Sequence, residues 1–123
     1  MVFTGISRNF LLMGEQQYET IGQFWDEMAA IYGLESLRGL GYCWENEQIS
    51  YAIGLKNGYI EGYNIHIKLP DDGWVTVTGK TDDLKEIYDE IYQDGALTLE
   101  IETFNTDGTC QIRYYRNEWS VQR

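Results

Sequence analysis

Residues 73–115 read GWVTVTGKTDDLKEIYDEIYQDGALTLEIETFNTDGTCQIRYY. Within them, Trp74–Thr78 alternate strictly between apolar and polar side chains, the period of a strand with one buried face. Thr81 is expected to cap a helix that carries Leu84, Ile87, Tyr88, Ile91 and Tyr92 on one side, and Gly95 to stop it. Residues 97–104 and 109–115 come next as two strands, joined by a turn at Asn105, Asp107 and Gly108. The order is strand, helix, hairpin.

Upstream, the same order is predicted a second time. Residues 3–12 read as a strand, and a polar stretch runs from Gly14 to Gln17. Residues 18–32 carry Ile21, Phe24, Trp25, Met28 and Tyr32 at helical spacing, with Gly33 at the end. Residues 39–45 and 49–56 form a hairpin turning at Asn46–Glu47. The alternating run that ends at Pro70 crosses between the two units, at least part of it as a strand. The expectation is one α+β domain over 1–123, with repeats at about 3–56 and 73–116 and a crossover at 57–72. The repeats would pair into a curved antiparallel sheet. Both helices would cover one face, and the other would form a groove between the halves, where ligands commonly bind.

Composition narrows the function classes. With 20 acidic against 9 basic residues the net charge is -11, which repels a phosphate backbone and argues against direct nucleic-acid binding. No apolar run reaches the ~18–20 residues that span a membrane, and no signal peptide is evident, so the expectation is a cytoplasmic protein. Cys43 and Cys110 make no disulfide framework, and no Cys/His cluster calls for a metal or other cofactor.

Several segments resemble the GyrI-like (AraC-type effector-binding) domain family. IKLPDDGWVTVTGKT at 67–81 is similar to the family's crossover and DDLKEIYDEIY to its second helix. FTGISRNF with the helix holding Phe24–Trp25 is similar to its first strand and helix, and TLEIETFNTDGTCQIRYY to its last hairpin. The resemblance runs over essentially the whole chain, in order, although no single segment is specific. It implies a small-molecule-binding module in stand-alone form, without the helix-turn-helix domain that accompanies it in AraC- and MerR-type regulators. The family often carries a pocket glutamate on the last strand, suited to cationic aromatic drugs. Arg113 stands at the equivalent position here and Lys56 at the pseudo-symmetric one, which predicts neutral or anionic aromatic ligands instead.

Strand parity supplies the other candidates. Val75 and Val77 are expected toward the helices, which turns Trp74, Thr76 and Thr78 to the groove. Leu97, Leu99 and Ile101 are expected on the helix side, leaving Glu100, Glu102 and Phe104 in the groove. On the last strand Cys110, Ile112 and Tyr114 face the helices, while Gln111, Arg113 and Tyr115 face the groove. Arg113 would sit at the groove floor, paired with Glu100 or Glu102, since a buried charge needs a partner. Tyr42 and Trp44 share one parity, and which face they take is left open; Trp44 is a further pocket candidate. Trp25, Tyr88 and Tyr92 read as core, and His66 as a surface residue.

No catalytic residues are assigned, because no nucleophile turn or phosphate loop is present. The leading expectation is a regulatory or sequestering binder of a drug-like aromatic molecule. The alternatives are a hydrolase of reactive electrophiles, with Glu100 or Glu102 positioning water, and an acidic modulator of a protein partner such as a topoisomerase. The oligomeric state stays open.

Overall fold

The computed structural model describes residues 1–11, 16–45 and 47–120. Leu12, Gly14 and Asn46, expected in a strand end, a polar stretch and a turn, lie outside them. The chain is α+β: the described residues form seven strands in one open antiparallel sheet, with two α-helices. The strands are β1 (Val2–Leu11), β2 (Leu37–Glu45), β3 (Gln48–Leu55), β4 (Ile65–Lys68), β5 (Val75–Lys80), β6 (Leu99–Phe104) and β7 (Thr109–Tyr115). The helices are α1 (Gln16–Tyr32) and α2 (Leu84–Gln93). The sheet runs β4-β1-β3-β2-β6-β7-β5, with β4 from the crossover at one edge.

Helix α1 begins at Gln16, two residues before the expected start, and Gly33 leaves it with a φ of 86°. The second helix departs from expectation at its start. Thr81 opens a short 3-10 turn over Thr81–Asp83, and Asp83 stands at the start of α2 without a side-chain cap bond. The negative charge of Asp82, Asp83 and Glu86 at that end still complements the helix dipole.

Both faces of the sheet are buried, and this decides the strand phases. One face packs against the helices. Its core joins Phe24, Trp25 and Met28 of α1 to Leu37, Tyr51, Ile53, Phe104 and Cys110, and a neighbouring cluster joins Tyr88 and Ile91 of α2 to Leu97 and Ile112. The opposite face has its own core of Phe3, Leu40, Tyr42, Ala52, Ile67, Leu69, Leu99 and Ile101. The chain folds over that second core: Trp74, Tyr115 and Trp119 pack on it, and Met1 donates from its amino group to the Leu69 carbonyl at 3.3 Å.

The parity of β7 and β5 matches the alternation of the sequence. Cys110 and Ile112 face the helices, and Gly79, opposite Cys110, lies against Ile87 of α2. The phase of β6 is reversed. Leu99 and Ile101 face away from the helices, so Glu100 and Glu102 face toward them. Leu97 keeps the helix side because it precedes the strand. The physical reason is the second core: two apolar side chains could satisfy either face, and the one away from the helices claimed them.

Strand β2 changes parity midway. A bulge falls between Tyr42 and Glu45, where Cys43 takes a φ of 52°. An extra residue in one strand re-aims the side chains beyond it. Tyr42 therefore packs in the second core, with its hydroxyl 2.6 Å from Ser7 Oγ, while Trp44 packs on the helix side. Their expected common parity is corrected by this one residue. No helix among the described residues is long and apolar enough to cross a membrane.

Candidate functional site

A cavity of about 660 Å³ opens on the helix side, between α1 and α2. That volume is within the range of small-molecule sites. Strand parity predicts a groove on the face away from the helices; the cavity lies on the same side as them. Its walls are Trp25 from α1, Trp44 from β2, Tyr88 and Tyr92 from α2, and Phe104 from β6.

The floor is built by a register of the sheet. Gly39 lies opposite Glu102 and Gly41 opposite Glu100, on adjacent central strands. A Cβ at Gly39 would overlap the Tyr51 hydroxyl oxygen, and one at Gly41 would come within 2.6 Å of Glu100 Oε1. The two glycines thus leave a trough in the sheet that the neighbouring strands' polar side chains fill.

Both oxygens of Glu102 are hydrogen-bonded. Its Oε1 accepts a short hydrogen bond from the Tyr51 hydroxyl, and its Oε2 accepts one from Tyr88 at 2.7 Å. Tyr51 in turn accepts from Trp25 Nε1 at 2.8 Å. Two strands and two helices are tied through one carboxyl. Glu100 differs. It is as deeply buried, but its Oε2 has no hydrogen-bond partner in the protein. The single hydroxyl proton of Tyr88 goes to Glu102, so Glu100 has that dipole nearby without a bond to its Oε2.

Burial holds the Glu100 carboxyl well above the usual carboxylate range, and the adjacent charge of Glu102 adds to this. Burial also raises Glu102, against the pull of the Tyr51 and Tyr88 hydroxyls. Burial and the same carboxylates push both phenols well above their ordinary range, so Tyr51 and Tyr88 are neutral donors. Asp26 and Asp82 lie at the cavity rim, and no Lys, Arg or His among the described residues lines the cavity.

Four of the candidate residues line this cavity: Glu100, Glu102, Phe104 and Trp44. Arg113, Trp74 and Tyr115 do not. Arg113 pairs across the ladder with Ile101, which places it on the opposite face, where its guanidinium lies 5.3 Å from the Trp74 ring centre. Trp74 lies tilted against Tyr115, with ring centres 5.4 Å apart, and donates from Nε1 to the Pro70 carbonyl at 2.8 Å. The expected pairing of Arg113 with Glu100 or Glu102 is therefore corrected: the sheet separates them. Lys56 is exposed just beyond the end of β3, away from the cavity. His66 is exposed beside Tyr63.

Two reversals cancel for the glutamates and do not for Arg113. The phase of β6 and the side of the cavity are both opposite to the expectation from parity. Tyr51, Tyr88, Trp25 and the glycine pair are site residues that parity alone does not single out. Their signal is nonetheless present: a buried Tyr or Trp needs a partner for its polar tip, and the carboxylates of β6 are the available acceptors. Among the described residues no group of three or more His, Cys, Asp or Glu is placed to hold a metal ion. Comparison with protein-family models, with curated proteins and with solved structures gives no match.

Proposed function

We propose that the chain is a small-molecule-binding domain whose ligand carries a positive charge on a flat, largely aromatic body. The observation that carries this reading is the cavity itself: aromatic walls over two buried carboxyls, with no basic side chain among the described lining residues. A buried carboxylate without a cation is costly, and a cationic ligand offsets that cost. The expectation of neutral or anionic ligands rests on Arg113 in the groove; Arg113 lies across the sheet from the cavity, which supports the opposite charge preference.

The resemblance to GyrI-like domains agrees with this reading, as does the strand order. Read outward from the β2–β6 contact, the sheet runs β2-β3-β1 one way and β6-β7-β5 the other. Each set is the hairpin and first strand of one strand-helix-hairpin unit, an order that supports the proposed repeat of about 3–56 and 73–116 about an axis at β2–β6. The cavity lies beside this axis on the helix side, not on the face where the groove is expected. A regulatory or sequestering role fits a binder of this kind, and direct duplex binding stays disfavoured by the -11 charge.

Intrinsic tryptophan quenching tests the reading, because Trp25 and Trp44 both line the cavity. A cationic aromatic dye should quench at lower concentration than an anionic dye of the same shape, and Arg113→Glu should leave that order unchanged. Tighter binding of the anionic dye would refute the proposal.

A second reading has one observation in its favour. Two neighbouring carboxyls with unequal hydrogen bonding can divide proton-donor and proton-acceptor roles, as hydrolases require. Steady turnover of an electrophilic substrate, abolished in Glu100→Gln, would favour it over binding alone.

A further inference from the structure

We infer that a hydrogen-bonding cation takes the place of a proton that Glu100 carries in the ligand-free protein. This rests on the binding reading above and specifies its chemistry.

The two carboxyls are not equivalent. Glu102 already receives one hydroxyl on each oxygen, and those hydroxyls come from Tyr51 on β3 and Tyr88 on α2. Those bonds fix Glu102 in place and already supply it with a donor on each oxygen. Glu100 lines the same cavity with an oxygen that accepts nothing from the protein. Gly41 backs it, so its carboxyl has room on the sheet side.

No basic group among the described residues faces Glu100, and of its neighbours only the neutral Tyr88 hydroxyl pulls against protonation. Glu102 stands beside Glu100 on β6, Tyr51 approaches from β3, Tyr88 and Tyr92 from α2, and Asp26 and Asp82 from the rim. None is basic. Burial and Glu102 therefore favour the protonated acid at Glu100. A ligand with a charged N–H group reverses this balance: it supplies both the donor and the positive charge. The O–H bond of Glu100 breaks, the electron pair stays on the carboxylate, and the proton leaves to solvent. A quaternary cation supplies the charge without the donor, and a neutral amide the donor without the charge.

Calorimetric titration in phosphate and in Tris at one pH counts the protons exchanged. Three probes of one shape separate the contributions: 4-phenylbenzamidine, 4-phenylbenzamide and 4-biphenyltrimethylammonium. The amidinium should bind tightest and release about one proton per complex, with affinity rising by up to about tenfold per pH unit while Glu100 is protonated. The amide should release none. Glu100→Gln should abolish the release and the preference for the amidinium. Glu102→Gln should weaken all three probes together, as a positioning residue does, and leave the release in place. Amidinium binding without proton release in the wild-type protein overturns the inference, a result that needs no variant to fold. So does release that persists in a folded Glu100→Gln protein, or a quaternary probe that matches the amidinium. If the probes bind but fail these criteria, the cavity still binds small molecules. If none of the three binds, the binding reading fails and this inference with it.

Discussion

A carboxyl buried without a cation links folding to pH. Glu100 and Glu102 have raised proton affinities in the folded protein, so the folded state holds more protons than the unfolded one above the ordinary carboxylate range, about pH 4.3. Stability from these groups is fully present below that range and is lost as pH rises through their folded values. Glu35, Asp71 and Asp107 work oppositely: hydrogen bonds lower them, so their contribution is present at higher pH and lost on acidification. They are surface groups, and solvent weakens their effect. Urea denaturation should therefore show stability falling from mildly acidic to mildly alkaline pH, with a slope of about 1.4 kcal/mol per pH unit for each extra proton held. Glu100→Gln should flatten that slope. An unchanged slope in the variant would mean that Glu100 does not carry the linked proton.

Among the elements, β2 governs the cavity, through two devices at opposite ends of its middle. The glycines at 39 and 41 open the floor, and the bulge at Cys43 turns Trp44 into the wall. Gly39→Ala puts a methyl group where the Tyr51 hydroxyl and the edge of Trp25 now lie. Both are hydrogen-bonded to one another, so neither moves freely. The expected cost is about 1–3 kcal/mol in urea denaturation, with weakened dye binding alongside. Unaltered stability and binding would show that the trough is not tightly filled. Neither device was legible in the sequence. GLGYCWE gives the strand, but a bulge leaves no mark in a run whose residues are apolar on both sides. The elements themselves were legible, because turn glycines and helical spacing are local signals. The phase of β6 was not, because it depends on what covers each face.

At the scale of the whole molecule, the second core explains what could be read and what could not. An antiparallel sheet with one solvated face announces its phase by alternation. Here ISYAIGL and GLGYCWE are almost continuously apolar, which is the pattern of strands covered on both sides. Cover on both sides lets Leu99 and Ile101 lie in the same core as Trp74, Tyr115 and Trp119 and leaves Glu100 and Glu102 to the helix side. The net charge of -11 sets the sign of the field around the cavity mouth. Cationic molecules approach along it, and salt should slow their association more than it changes their residence.

The ladder between β2 and β6 contains three residue pairs, Gly39–Glu102, Leu40–Ile101 and Gly41–Glu100, against six for each of β1–β3, β5–β7 and β6–β7. Two of the three pairs are glycine facing a cavity carboxyl. The sheet thus has its shortest ladder where the ligand would rest, and a bound molecule touching both sides would act as a clasp across the seam. Amide hydrogen exchange resolves this directly: protection at residues 39–41 and 100–102 should rise on ligand binding more than protection inside either outer ladder. Uniform slowing over all seven strands would mean that the seam does not open by itself, and that the sheet breathes as one sheet.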